Sequence, residues 1–273
     1  MAITKTSWIL GLTGLGLILS WSSFEQAFAY IPPSQYILRK MTASHLSLKT
    51  IRIRSQVVAM DGEKESSTRI KVTTWVNLQN GLLKSWATDP EDHELFRLFR
   101  TPASYTPVEA VLLGTQTAVV TQTLKDVGIP VRSEAELLRL QTETDRQQAE
   151  MEFLARWKGL VAWVIGAKSG PQIWMEKDRF VPMRLIFQPK GDSSTIDVQI
   201  DSFRYYREMP YPRWIRVADK TGTPIFREEL TDFSVNPGMT EARGTEAHGF
   251  TEAGNSASSS TKELVQKYFE WIR

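Results

Sequence analysis

The sequence predicts an α+β fold that is mainly β: a large, curved antiparallel sheet with one face covered by helices. Segments in which apolar and polar residues alternate recur along the chain, as expected for strands that are buried on one side. Turn signals such as Asp61-Gly62, Asn80-Gly81 and Lys220-Thr221-Gly222 separate these segments at short intervals. The series of predicted strands is interrupted once by segments whose apolar residues have helical spacing. Helices placed there would cover the apolar face of the sheet and enclose a cavity suited to apolar ligands.

The first elements are a helix and a meander. Pro32-Pro33 opens a short helix, in which Tyr36, Ile37, Lys40 and Met41 lie on one face. The alternation that follows predicts an antiparallel meander of three strands, over residues 46–60, 69–78 and 82–88.

The middle of the chain, about residues 90–150, is predicted to be a helical insertion. Asp89-Pro90 suits an N-cap and a first turn, and Leu95, Phe96, Leu98 and Phe99 then share one side of a helix. Residues 108–113 and 118–127 suit two further short helices. A capping box at Ser133–Glu136 starts a polar helix that runs to about Glu150.

Strands then resume, which brings the predicted total to about nine. The predicted strands of the second half cover residues 160–167, 172–177, 180–188, 195–206, 213–219 and 224–235. After them come a Gly-, Ala- and Ser-rich stretch at 240–260, predicted to be a flexible linker, and an amphipathic helix at 261–273.

The first 29 residues have the three parts of a secretory signal. Lys5 supplies the charge, residues 8–19 form the apolar core, and Ala27-Phe28-Ala29 offers a cleavage site before Tyr30. The core is shorter than the roughly 20 residues that a membrane span needs. We therefore expect cleavage and export, with a mature domain at 30–239.

Composition excludes several classes of function. The 33 Lys and Arg nearly balance the 31 Asp and Glu, so no basic field indicates nucleic acid. The chain has no cysteine, which excludes disulfides, thiolate metal sites, a cysteine nucleophile and a lipid-modified cysteine. The mature protein is therefore predicted to be exported without lipidation.

No pattern in the sequence indicates catalysis or a cofactor. Nucleophile-elbow, phosphate-loop and dinucleotide motifs are missing from the mature chain. His45, His93 and His248 have no metal-ligand partner at a suitable spacing. The acidic residues around His93 lack the spacing of a calcium loop, and the first turn of a helix favours carboxylates in any case. We expect no catalytic residue, metal or cofactor.

Tryptophan is abundant, and four of the tryptophans on predicted strands are candidates for a ligand site: Trp75, Trp86, Trp163 and Trp174. They can serve as sheet core and cross-strand packing, or as a lining for acyl chains on the concave face. The alternation of side chains along a strand does not decide between these interpretations, because it does not show which face of the sheet is concave.

Several segments of the second half share a known pattern of strands and turns. They are 159–167 (GLVAWVIGA), 171–185 (PQIWMEKDRFVPMRL), 203–207 (FRYYR), 211–215 (YPRWI) and 230–238 (LTDFSVNPG). The pattern resembles the LolA/LolB-like superfamily of outer-membrane lipoprotein-sorting proteins and periplasmic lipoprotein carriers. The likeness spans most of residues 46–239 and is best after Gly159.

The resemblance implies an incomplete, half-open barrel whose apolar interior takes up lipid or lipoprotein acyl chains in the periplasm. It also implies an inner-membrane transporter or an outer-membrane acceptor as partners. The carriers tend to have an Arg-Pro pair where Gln79-Asn80 stands here, so gating and transporter recognition are expected to differ. The predicted cavity lining combines the four tryptophans with lid residues: Trp75, Trp86, Trp163, Trp174, Leu95, Phe96 and Phe99.

A second hypothesis remains open at this point. The same fold can act as a non-enzymatic sensor of envelope stress or scaffold that binds a membrane protein's periplasmic segment, with the C-terminal helix as a docking element. A tight core without a cavity would favour this alternative.

Overall fold

The computed structural model describes residues 31–133, 135–136, 152–189, 193–237 and 249–273. Those from Pro32 onward belong to one compact unit. The predicted export signal at 1–29 and the predicted polar helix after Glu136 lie outside the described residues. At the start of that helix, Glu136 N donates to Ser133 Oγ at 3.2 Å, and Ser133 N donates to Glu136 Oε2 at 2.6 Å, as the capping box predicts.

The described residues form five α-helices, one short 3₁₀ helix and twelve strands. The helices are α1 (Ser34–His45), the 3₁₀ turn (Pro102–Ser104), α2 (Pro107–Leu113), α3 (Thr117–Asp126), α4 (Glu252–Ser256) and α5 (Ser259–Trp271). The strands are β1 (Thr50–Asp61), β2 (Lys64–Asn77), β3 (Leu82–Thr88), β4 (Glu94–Arg100), β5 (Glu152–Trp157), β6 (Leu160–Gly166), β7 (Gln172–Glu176), β8 (Pro182–Phe187), β9 (Ile196–Tyr206), β10 (Met209–Asp219), β11 (Pro224–Val235) and β12 (Gly249–Phe250).

All twelve strands belong to one open antiparallel sheet. Their order is β12-β4-β3-β2-β1-β11-β10-β9-β8-β7-β6-β5. The long pairing of β1 with β11 joins the first meander to the strands of the second half. The predicted fold class, a mainly β fold with a large half-open antiparallel sheet and a few helices, is confirmed.

One face of this sheet is apolar and lies under helices. Cross-strand partners point to the same side, which places Ile53, Val72, Ile215, Leu185 and Ile173 together on what we call the covered face. All five side chains are buried. Helix α1 packs against α2, α3 and β10, α2 also packs against β8, and α5 packs against β2.

The segment Glu94–Arg100, predicted to be the first helix of the insertion, is strand β4, so that prediction is wrong. The Asp89 carboxylate accepts from His93 N at 2.8 Å, and Asp92 has a φ of 70°. Asp89 therefore closes a hairpin turn instead of capping a helix. Pairing with β3 then satisfies backbone groups that a bare sheet edge would leave open.

The predicted linker at 240–260 is ordered in its second part. Residues 249–250 form β12 against β4, and α4 follows with Thr251 as its N-cap. The flexible-linker prediction is therefore wrong for residues 249–260, and residues 240–248 lie outside the described part. The alternation of apolar and polar residues also did not predict the strands β4, β5 and β12.

Candidate functional site

The last helix, α5, lies on the sheet. Ser258 caps it by accepting from Thr261 N at 3.2 Å. The outward side carries charged and polar side chains, among them the pair Lys267–Glu263 at 2.6 Å. The opposite side is an apolar stripe of buried residues: Leu264, Val265, Tyr268, Phe269, Trp271 and Ile272.

The apolar stripe packs on two phenylalanines of the covered face. The Phe269 ring centroid is 4.6 Å from that of Phe96 on β4. Tyr268 and Trp271 lie 6.0 and 6.1 Å from Phe226 on β11. Helix α5 therefore spans the covered face from β4 to β11, and burial of this aromatic surface is the main favourable term in its docking.

A buried ion pair lies where α5 ends. Arg273 Nη2 is 3.0 Å from Glu228 Oε1 and donates to Tyr211 Oη at 2.6 Å. The side chains are 0% exposed for Arg273 and 3% for Glu228. We call Phe96, Tyr211, Phe226 and Glu228, together with Arg100, the α5 seat.

Arg100 on β4 holds the main chain at the end of α5. Its Nη2 donates to the carbonyl oxygens of Phe269 and Arg273 at 2.8 and 2.9 Å. A guanidinium at this end also stabilises the helix dipole. Thr106 Oγ1 donates to Ile272 O at 3.1 Å, which ties the loop before α2 to the same turn.

Glu109 on α2 is the second buried carboxyl of this cluster. It forms a capping box with Thr106, in which Thr106 N donates to Glu109 Oε2 at 2.8 Å. Arg100 Nε is 3.5 Å from the same oxygen. Burial raises the pKa of Glu109 to about 7, although Arg100 and the hydrogen bond from Thr106 lower it. Its charge therefore changes near neutral pH.

The docked arrangement leaves several polar atoms without a partner. In the described part of the chain, Glu228 Oε2, Glu109 Oε1, Arg273 Nε and Trp271 Nε1 are buried and accept or donate no hydrogen bond. A buried unsatisfied polar group costs about 1–3 kcal/mol. The polar end of α5 is therefore less complementary to its seat than the aromatic part.

A cavity of about 200 Å³ adjoins this end of the helix. It is smaller than a typical pocket for a drug-sized ligand, roughly 300–1,000 Å³, and in this state suits water or a small group. Its lining mixes charged and apolar side chains, including Arg100, Tyr105, Thr106, Pro107, Phe187 and Glu270.

The four predicted tryptophans do not share one lining. Trp163 lies on the covered face, opposite Met175 of β7. Register places Trp75, Trp86 and Trp174 on the opposite face of the sheet. There Trp86 borders a groove of about 560 Å³ together with Arg54, Lys71, Thr73, Thr88 and Asp92.

The three predicted lid residues belong to β4 and also separate. Phe96 lies on the covered face and contacts α5. Phe99 lies on the opposite face beside Lys84, with Lys84 Nζ at 5.9 Å from the ring centroid. Leu95 is buried at the irregularity where β4 shifts register against β3. The role of the seven residues in ligand binding stays a prediction.

The polar residues of the seat were not predicted from the sequence. One available signal was the period of β11, which places Glu228 on the same side as Phe226, where a charged residue requires a buried partner. The partner, Arg273, is distant in sequence, and Arg100 and Glu109 stand in segments whose packing on α5 no local pattern reveals.

This chain is similar to several solved structures. No family model and no curated protein matches this chain. Among solved structures, an outer membrane lipoprotein-sorting protein domain from Vibrio parahaemolyticus matches 76% of this chain and 94% of its own, at 9% identity and a TM-score of 0.45. A LolA superfamily protein from Nitrosomonas europaea matches 79% and 99%, at 10% identity and a TM-score of 0.39.

The chain resembles LolA-superfamily structures. One of the matched structures is titled as a member of the LolA superfamily, the family that the sequence resembles. The MucA/MucB complex of Pseudomonas aeruginosa also matches, over 78% of this chain and 61% of that one, at 10% identity and a TM-score of 0.32. Because every such identity is low, we derive the function from the chain's own contacts.

Two further properties concern the described residues only. No group of three or more His, Asp or Glu side chains is placed to hold a metal ion. None of the described helices has both the length and the apolar character needed to cross a membrane.

Proposed function

We propose that the protein is a periplasmic binder or carrier of lipids or lipoprotein acyl chains, exported through a cleaved signal at residues 1–29. The observation that carries this proposal is the docking of α5, whose apolar stripe occupies the covered face at Phe96 and Phe226. A face that takes up an aromatic and aliphatic stripe from its own chain also suits an acyl chain.

Hydrophobic contact would supply the affinity. Burial of one methylene contributes about 0.8 kcal/mol, so an acyl chain laid along the seat gains several kcal/mol. In the state described here α5 occupies that surface. We propose that the acyl chain takes the place of the helix, which makes uptake and release reversible, and that no bond is made or broken in the ligand.

Native mass spectrometry of the mature protein, purified from the compartment to which it is exported, tests this function. We expect co-purified phospholipid or acylated peptide, which solvent extraction removes. Phe226→Ala should lower the lipid-bound fraction, because it removes an aromatic ring of the seat. Leu160→Ala, at a side chain that is 42% exposed, is the control and should retain lipid. A lipid-free mass together with no uptake of a dansyl-labelled fatty acid would contradict the proposal.

The same observation favours a second candidate function. Because the occupant of the seat is an amphipathic helix, a helix from the periplasmic segment of a membrane protein could dock there instead. The protein would then be a non-enzymatic sensor or scaffold. A lipid-free protein that retains a membrane-protein segment after detergent extraction would support this alternative.

If the protein is a carrier, transfer requires a donor and an acceptor. An inner-membrane transporter and an outer-membrane acceptor are the partners that the sequence resemblance implies. We propose that α5 leaves its seat when acyl chains arrive and returns when they leave. The helices α2 and α3, which flank the small cavity beside α5, are candidates for the part of the surface that senses this change.

A further inference from the structure

The charge that α5 carries into the sheet restricts what can replace it. Arg273 is the group that neutralises Glu228, and both side chains are buried. When α5 leaves, Arg273 leaves with it, and the carboxylate of Glu228 remains on the covered face of β11. A carboxylate covered by an apolar ligand without a cation is strongly unfavourable.

An acyl chain cannot use the seat without covering this carboxylate. Phe226 and Glu228 lie two residues apart on the same side of β11, and Val57 and Ile215 are the cross-strand partners of Glu228. All three neighbours are buried apolar residues. A chain that packs on Phe226 therefore also removes water from Glu228.

The acceptors around the Arg273 guanidinium are suited to an ammonium group. Glu228 Oε1 and Tyr211 Oη already accept from Arg273 Nη2 at 3.0 and 2.6 Å. Among the described residues, Glu228 Oε2 has no hydrogen-bond partner. The seat thus offers three acceptor atoms on two neighbouring side chains, and a primary ammonium has three N–H donors.

We propose that the α5 seat binds amphiphiles that carry a positively charged head group, an ammonium above all, beside the acyl chain, and that this cation takes the place of Arg273. The inference rests on the proposed function and narrows its ligand class to aminolipids and to acylated chains with a neighbouring amine. Arg100, the other cation of the seat, lies beside the second buried carboxyl, with its Nε 3.5 Å from Glu109 Oε2.

Two ligands with the same chain and opposite charge test the head group. Dodecylamine and dodecanoic acid are titrated, below their micelle concentrations, against the uncharged probe N-phenylnaphthylamine bound to the mature protein. Charge-assisted hydrogen bonds to a buried carboxylate predict that the amine displaces the probe at a concentration about tenfold to a hundredfold lower. Equal displacement, or stronger displacement by the acid, would overturn the inference and leave the proposed function in place.

A pair of variants locates the preference. In Glu228→Gln the amine and the acid should bind within about threefold of each other, because the neutral amide keeps the shape and loses the charge. Glu263→Gln makes the same change on the outward side of α5 and should keep the full preference. A preference for amine that survives in folded Glu228→Gln would contradict the assignment. Absence of any displacement and of probe binding in the wild type would overturn the proposed function as well.

Displacement of α5 is tested by a reversible lock. The hydroxyl oxygens of Thr68 on β2 and Ser260 on α5 are 3.4 Å apart, and the chain has no cysteine of its own. Oxidised Thr68→Cys/Ser260→Cys should bind dodecylamine at least about tenfold more weakly than the same protein after reduction, since the locked helix lowers the population of the open seat. Equal affinity in the two redox states would show that the ligand does not replace α5.

Discussion

At the scale of residues, α5 has an exposed ion pair on its outward side and a buried one where it ends. Arg273 and Glu228 are buried and paired, whereas Lys267 and Glu263 on the same helix pair in solvent. A buried charge without its partner is far more costly than an exposed one. The two pairs therefore allow a buried ion pair to be compared with an exposed one.

Arg273→Met should destabilise the protein by about 3–5 kcal/mol, because it leaves Glu228 buried without a cation. The double variant Arg273→Met/Glu228→Leu should regain most of this loss, since neither charge remains. Urea unfolding measures both. Lys267→Met is the control and should change the unfolding free energy by no more than about 0.5 kcal/mol. A single variant as stable as the wild type would mean that the pair does not hold α5 in place.

The pH dependence of stability has a buried histidine as one source. His45 is buried, and its Nδ1 lies 2.7 Å from Gly114 O. Burial lowers its pKa from 6.5 to about 4, although the hydrogen bond to Gly114 raises it. Between those two values the unfolded chain binds a proton that the folded chain does not. The unfolding free energy should therefore decrease as the pH falls from 6.5 to 4, by roughly 3 kcal/mol from this residue.

His45→Asn should remove this part of the pH dependence, which urea titrations at several pH values would show. Glu109 acts in the opposite direction: burial raises its pKa to about 7, so the stability it contributes is present below about 4.5 and is lost as the pH rises to 7. The contribution of His45 is therefore the difference between the pH profiles of wild type and variant, because the wild-type profile contains the contribution of Glu109 as well. Parallel profiles would indicate that His45 has the same pKa in the folded and the unfolded protein.

At the scale of elements, the hairpin between β2 and β3 is held against the loop before α2. Gly81 has a φ of +71°, and a Cβ there would overlap the Pro102 side chain. Tyr105 Oη donates to Gly81 O at 2.5 Å. The tight turn predicted from Asn80-Gly81 therefore also serves as a contact surface for the segment that leads to Thr106 and the α5 seat.

Gly81→Ala should destabilise the protein by about 2–3 kcal/mol, as the sum of left-handed backbone strain and displacement of Pro102. Gly62→Ala is a matched control, because Gly62 has a φ of +58° and a methyl group there would have no atom within 4 Å. It should cost only about 1 kcal/mol. Thermal or urea unfolding of both variants separates the backbone strain from the displacement of Pro102. Equal losses of stability in the two variants would show that the Pro102 side chain moves aside at no measurable cost.

Local patterns predicted the elements whose burial is one-sided. The alternation in β1, β2 and β9 to β11 and the apolar stripe of α5 correspond to real elements. The spacing of Leu95, Phe96, Leu98 and Phe99 suits a helix as well as a strand with contacts on both sides. Only the position of β4 beside β3 decides in favour of the strand.

At the scale of the whole molecule, the α5 seat combines distant parts of the chain. It brings Arg100 together with Tyr211, Glu228 and the end of α5. The sequence predicted an apolar face under helices and an amphipathic terminal helix. It did not predict that this helix lies on that face, because residues 240–260 have the composition of a linker and docking depends on contacts between residues far apart in sequence.

The split of the tryptophans has the same origin. Each of Trp75, Trp86, Trp163 and Trp174 alternates correctly along its own strand, but the face is set by register between strands. A shift of one residue moves a side chain to the other face. To predict which residues line a cavity, the strand pairing of the whole sheet must be known, and the sequence of a single strand does not specify it.

The central claim is that acyl ligands occupy the covered face in place of α5. The most direct measurement is the distance between spin labels at Gln266→Cys on the outward side of α5 and Lys220→Cys in the turn between β10 and β11, both of which are exposed. With saturating dodecylamine the distribution should shift to longer and broader distances, and it should return when the ligand is removed. A bound ligand with an unchanged distance distribution would contradict the account.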